Sequence, residues 1–415
     1  MIFDLVIRNA RLATGPDLLD IAVRDGRIAA MASSLRCEAV EDVDAQGALA
    51  FPGFTDAHVH LDKACILARC GICEGTLVEA VRETARAKAG FTEEDVYRRA
   101  AAVVEKAVSH GTTAMRSFVE IDPRAGFRSF AALKRIRDDF AFALDIQLCA
   151  FAQEGLTQEP ETLAMLDRAL AEGADLVGGC PYTDPDPAQH VRLIFDLAEK
   201  YDVDADFHLD FDLDPNTTNL PAVIGETLRR GWGGRVTIGH VTNLSAMPLE
   251  RVEAIGRQLR EAGIALVALP ATDLFLTGRE TPVLTPRGVA PLHRLAAEGV
   301  TTAVATNNVL NPFTPYGDAS LLRMANLYAN VAQLSREQDM ALAFNMVTSL
   351  PDQIVGRATG PATLEVGRVA TIVLVDAAEP AGAVREVGRV IGGWKAGRKS
   401  FWNGWPQIFH PARQD

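Results

Sequence analysis

The chain has 415 residues, room for one barrel-sized domain of about 250–300 residues plus a small satellite domain. Hydrophobic residues make up 48% and charged residues 23%, enough for a large core, and the net charge of -13 argues against nucleic acid or anionic lipid as a partner. No apolar run of about 18 residues offers a membrane span and the first residues lack the basic start of a signal peptide, while six cysteines are too sparse for a disulfide scaffold; a reducing cytoplasm is the expected compartment.

In chain order, residues 1–50 read as short strands at 3–7, 21–23 and 28–31, with Asp25-Gly26 as a tight hairpin turn. Cys70 and Cys73 form a CxxC without a second pair, so they read as ordinary thiols. From the run before His58 onward, apolar strand-like runs recur at 113–119, 145–151, 176–178, 205–208, 236–240, 265–269 and 302–305. Helix-like segments at 93–110, 127–139, 160–172, 188–201, 249–262 and 290–298 separate them. Eight strands in such an alternation predict an α/β fold, a (β/α)8 TIM-like barrel over residues 54–361. A strand-like run at 369–375 and a turn at 394–398 resemble the N-terminal stretch, so residues 1–53 and 362–415 are expected to form one small β-sandwich domain.

In a barrel, residues at the C-terminal ends of strands face the active-site mouth. His58 and His60 lie two apart on the first strand and so point the same way, a geometry that grips one metal ion. Such a pair alone is more often structural. His208 and His240, however, also end predicted strands, so four of the chain's eight histidines gather at one mouth and predict a metal site.

At this point the motifs resemble a known family. Phe51-Pro52-Gly53-Phe54-Thr55-Asp56-Ala57-His58-Val59-His60-Leu61-Asp62-Lys63 is similar to the opening motif of the cytosine-deaminase-like branch of the amidohydrolase superfamily, and its Asp-Lys ending to the triazine ring-amine hydrolases of that branch. Residues 147–155, the two later histidines and the run 364–376 continue the resemblance over nearly the whole chain. The resemblance implies His58, His60 and His208 as ligands of one divalent metal (zinc or iron, with manganese third), His240 orienting the attacking water, and Gln153 on the substrate. The implied partner is a small heterocycle and the implied reaction hydrolysis of its C–N bond by metal-activated water. Barrels of this family often associate, but the sequence leaves open whether this chain forms a homo-oligomer.

Two positions depart from the family. Asn307 stands where the family has an Asp that serves as metal ligand and base; it can offer a carbonyl oxygen but neither a negative charge nor a basic site. Phe211 stands where cytosine deaminases have a proton-shuttling Glu. Asp210 is the candidate replacement acid or base, on the premise that the strand continues past His208 and keeps Asp210 on its face; the alternative is a solvated loop carboxylate in an acidic turn with Asp212 and Asp214. Glu120, Asp122 and Glu154 are further candidates, the last with Arg116 as a plausible partner. Lys63 reads as a pocket cation or, equally, as a plain surface charge, in either case paired with Asp62, and Phe313 as a wall of the substrate site. Phe211 makes that pocket more apolar, which favours an N-alkylated ring amine or cyclic amide. The alternative is a degenerate relative that binds a small ligand without turnover.

Overall fold

The structure is a computed structural model that describes residues 2–72, 74–357 and 363–407. Cys73 of the CxxC and the expected domain return at residue 362 lie outside the described residues. The N-terminal strands are β1 (Ile2–Leu12), β2 (Gly15–Arg24), β3 (Arg27–Ala32), β4 (Glu38–Asp44) and β5 (Leu49–Phe51). The barrel strands follow as β6 (Phe54–Val59), β7 (Thr112–Glu120), β8 (Asp145–Ala152), β9 (Leu176–Gly179), β10 (Asp204–Leu209), β11 (Val236–His240), β12 (Ile264–Ala268) and β13 (Thr302–Val304). The chain then returns through β14 (Ile372–Val375), β15 (Val390–Lys395) and β16 (Arg398–Trp402).

Both ends of the chain build one mixed sheet, ordered β16-β15-β14-β5-β1-β2-β3, with β4 pairing parallel to β1. The β2–β3 turn is the two-residue hairpin expected of Asp-Gly: both residues take the left-handed backbone, φ 51° and 71°, which Gly26 accommodates at no steric cost. The strand β4 goes unread in the sequence because acids alternate with apolar residues at an exposed edge. This sheet has its own core of Leu5, Ile7, Ile21, Val23 and Trp394.

Strands β6 to β13 lie side by side in sequence order, every neighbour parallel. Asn307 closes the ring: its N–H donates to the His58 carbonyl at 2.8 Å and its carbonyl accepts from the His60 N–H at 2.7 Å. The closure thus runs through the very strand ends that carry the first two histidines. Helices pack outside, among them Glu93–Ser109, Arg128–Asp139, Pro187–Tyr201 and Leu249–Ala262. Their apolar stripes bury Val103, Val104, Leu133, Phe195 and Leu259 against the strands, each worth about 1.5–3 kcal/mol of transfer free energy. The helices Leu77–Lys88 and Leu220–Arg230 were not anticipated.

Candidate active site

Four imidazoles surround one point at the barrel's mouth. The ring of His58 lies 4.4 Å from His208 between centroids and 5.8 Å from both His60 and His240. His208 lies 5.3 Å from His60 and from His240. One nitrogen each of His58, His208 and His240 fall within 4.8 Å of one another, whereas His60 groups as closely with Asp62 and Glu120. Gly239 makes room for this packing, since a Cβ there would sit 2.9 Å from the His58 ring. The strand ends are bent to fit: His240 and Asn307 adopt left-handed backbone, φ 69° and 58°, where non-glycine residues carry a cost of about 1–3 kcal/mol.

The cluster fits a divalent ion on its own chemistry. Both ring nitrogens of His58, Nδ1 of His60, Nε2 of His208 and Oδ1 of Asn307 are buried and have no hydrogen-bond partner. Each such orphan costs about 1–3 kcal/mol, so five together are anomalous unless something is to be bound. Burial holds the pKa of His58, His60 and His208 well below the ordinary imidazole value. They are therefore neutral, the state in which imidazole donates to a metal.

Beside His60 lies a second polar cluster, charged and fully paired. Lys63 Nζ lies 2.6 Å from Glu120 Oε1, 3.3 Å from Gln153 Oε1 and 4.3 Å from the centre of the Phe313 ring. Lys88, 2% exposed, reaches Glu120 at 2.9 Å, Asp122 at 2.5 Å and Glu154 at 2.5 Å. Burial pushes the Glu120 carboxyl up, but the two ammonium groups outweigh it and hold the pKa at about 2. Glu120, Asp122 and Glu154 have the spacing of a cation site, and the Lys88 ammonium occupies it. This supports one metal rather than two.

The remaining sequence-predicted residues divide. His60, Lys63, Gln153, His208, Phe211, His240, Asn307 and Phe313 all line one cavity, together with Leu77, Tyr182, Thr272, Leu276 and Asn308. Asp210 does not line it. The strand ends at Leu209, and Asp210 turns away in left-handed backbone, φ 48°. Its carboxylate accepts from the Thr218 hydroxyl at 2.6 Å and from the Asn219 backbone and side-chain N–H groups at 2.9 Å each. The two-residue period that placed it beside His208 stops one residue too early, and the geometry gives it a loop-fastening role. Lys63 pairs with Glu120 and not with Asp62, whose oxygens accept from the backbone N–H groups of Lys63 and Glu120. Glu154 pairs with Lys88 and Arg124, while Arg116 reaches down the barrel to Asp206.

Two contributors were missed. Lys88, in the last turn of a helix, reads in sequence as a solvated charge favourable to the helix dipole. Thr272 holds the amide nitrogen of Asn307 at 3.0 Å, which leaves Oδ1 as the atom facing the histidines; nothing in the sequence marks it.

The model of the amidohydrolase family matches residues 71–400. Pterin deaminase of Rhizobium rhizogenes is 30% identical over 357 residues, 85% of this chain and 79% of its own length. The N-isopropylammelide isopropyl amidohydrolase of Pseudomonas sp. strain ADP is 26% identical over 392 residues, covering 92% of this chain and 93% of the relative. In structure, the 5-methylcytosine deaminase of Klebsiella pneumoniae superimposes with a TM-score of 0.92 at 27% identity, covering 98% of this chain and 100% of that one. With the barrel, the terminal β domain and the histidine cluster in place, the chain belongs to the amidohydrolase family, the metal-dependent hydrolases of carbon–nitrogen bonds.

Proposed function

We propose that this amidohydrolase releases ammonia or an alkylamine from a single-ring N-heterocycle, using one divalent ion held by His58, His60, His208 and Asn307, zinc or iron with manganese as a third choice. The observation that carries the reading is the set of buried, unpartnered donor atoms on those four residues: His60, His208 and Asn307 line one cavity, and the His58 ring stacks on His208. A divalent ion bound there supplies hydroxide at neutral pH by lowering the pKa of water to about 7. The balance is simple: the water oxygen bonds to the ring carbon, the exocyclic C–N bond breaks, one water proton leaves on the departing nitrogen, and the other stays with the product as hydroxyl or ring N–H.

The chain's own residues bind and orient. Gln153 and Lys63 stand side by side on the cavity wall and suit a ring edge carrying carbonyl oxygen and N–H groups. Phe313 lies against Lys63 and offers a face for the ring. His240 orients the attacking water. Leu77, Phe211 and Leu276 line both this cavity and an outer groove that continues to Val78, Leu213 and Arg279. An N-alkyl substituent fits that apolar passage better than a free amino group does, because burying apolar surface there releases water without leaving a polar group unpaired. The relatives named for N-isopropylammelide and 5-methylcytosine act on single rings of this kind.

Among the described residues no helix is long and apolar enough to cross a membrane, and five cysteines are free. A cytoplasmic enzyme that acts on a small molecule rather than on nucleic acid, and that associates with its own copies, is the setting we propose. The test is elemental analysis of protein purified without added metal, followed by assay of amine release from 5-methylcytosine, N-isopropylammelide and matched N-alkyl and free-amino pairs. About one metal per chain and a preference for the N-alkyl member support the reading. A protein that takes up no metal on reconstitution would instead be a ligand-binding relative without turnover, and one that prefers the free-amino member would have the substituent assignment wrong.

A further inference from the structure

The proposed chemistry needs a hydrogen-bond acceptor for the attacking water, yet among the described residues no carboxylate lines the cavity. Asn307 and Phe211 occupy the two places where the related enzymes carry acids, Asp210 is fastened to Thr218 and Asn219, and Glu120 is locked between two lysines. One buried carboxylate nevertheless touches the site from behind. Asp273, 0% exposed, sits in the first turn of the helix Pro270–Leu276 that follows β12. Its Oδ1 lies 2.7 Å from Nδ1 of His240, and its Oδ2 accepts the Leu269 N–H at 3.0 Å. Both oxygens are thus fixed, one by backbone and one by the imidazole. The Phe211 ring packs edge-to-face with the His240 ring, 4.6 Å away at 81°.

A carboxylate only accepts hydrogen bonds, so the proton in this short contact belongs on Nδ1 of His240. That choice leaves Nε2 with its lone pair free, and His240 lines the cavity. We infer that Asp273 is a positioning residue of the hydrolytic site: it fixes His240 in the Nδ1–H tautomer and so presents Nε2 as the acceptor toward which the attacking water is turned. The negative charge that the related enzymes place on the cavity wall is here set one residue further back, and Phe211 keeps solvent from competing for the imidazole. The inference rests on the hydrolase reading above.

The wild-type zinc-loaded protein, labelled with 15N at histidine, shows the tautomer directly, and the His240 resonances are assigned by their loss in His240→Asn. We expect the proton on Nδ1. In Asp273→Asn, whose amide can donate to Nδ1 and favour the opposite tautomer, we expect unchanged zinc content, a shift of those resonances, and kcat on 5-methylcytosine or N-isopropylammelide lower by about 100- to 10,000-fold with KM nearly unchanged. A wild-type proton on Nε2, or an unchanged kcat in Asp273→Asn, overturns the inference. If Asp273→Asn does not fold, the wild-type spectrum decides alone. A wild type that hydrolyses neither compound nor any N-alkyl analogue counts against the hydrolase reading, whatever the tautomer.

Discussion

Two polar walls of the barrel mouth, one lining the cavity with imidazoles and one standing behind Lys63, bury their groups in opposite ways. On the wall built by β7, β8 and the helix Leu77–Lys88, every charge has found an opposite charge: Lys63 and Lys88 against Glu120, Asp122 and Glu154. On the wall built by β6, β10 and the end of β13, the imidazoles of His58, His60 and His208 are neutral and their nitrogens largely unanswered. Both walls are largely buried, and the better paired one is the wetter at Glu154, so solvent does not explain the difference. The first is complete when the chain has folded. The second is complete only with a ligand, and this is what separates a structural network from a binding site when both are made of buried polar residues.

The sharpest way to break that contrast is to remove the unanswered donors. The double variant His58→Ala/His60→Ala is expected to carry no metal by elemental analysis after purification, and its amine release is expected to fall to background. If it retains about one metal per chain, the donors have been misread. Next in size is an attack on the completed wall. Glu120→Gln leaves two buried ammonium groups short of their shared counter-ion, which at neutral pH should cost about 3–5 kcal/mol in denaturant unfolding. The sign of its pH dependence follows from the depressed carboxyl. Its contribution is full above the unfolded value of about 4.3 and disappears as pH falls toward about 2. The stability gap between wild type and Glu120→Gln should therefore close between those limits, and a gap that stays constant down to pH 2.5 would show that the charge of Glu120 contributes nothing.

A smaller effect is expected at the one donor that departs from the family. Asn307→Asp adds a negative charge to a set of otherwise neutral ligands, and metal retention against a chelator should improve by about tenfold or more, the range over which single changes around a metal act. The change keeps the shape, and Thr272 can turn its hydroxyl to donate. Unaltered retention would place the Asn307 oxygen outside the metal's reach.

How much of this was legible in the sequence depends on whether a residue's role shows in its spacing. The eight barrel strands and most of the long helices announce themselves by period, and the His58/His60 pair by its two-residue step. The edge strand β4 and the helix Leu77–Lys88 do not, because the burial pattern there follows the tertiary neighbours and not the helix or strand face alone: the latter helix buries Glu79, Glu83 and Lys88 beside Ala80. Asp210 shows the complementary limit. Period places it correctly as long as the strand lasts, and no sequence rule states that β10 ends one residue before it. Lys88 and Asp273 were overlooked for one shared reason. A lysine in a last helical turn and an aspartate in a first one are ordinary complements to the helix dipole. Only their burial, 2% and 0% exposed, sets them apart.

The smallest expected effect bears most directly on the comparison. If the histidine wall is reserved for a metal, it should add nothing to the stability of the metal-free protein. His58 is surrounded by Phe118 at 4.1 Å and by other rings, and both its nitrogens lack partners. Replacing it by leucine removes two unsatisfied polar atoms and keeps similar bulk, so in chelated protein His58→Leu should lie within about 1 kcal/mol of wild type, on either side. Adding metal should then separate them. A ligand that binds only the folded state at one hundred times its Kd stabilises by about 2.7 kcal/mol, and wild type should gain it while His58→Leu gains little or none. A loss of 3 kcal/mol or more in the chelated protein would mean that His58 is already bonded in the metal-free fold. The two walls would then differ in charge alone, and the unpartnered nitrogens would cease to mark a binding site.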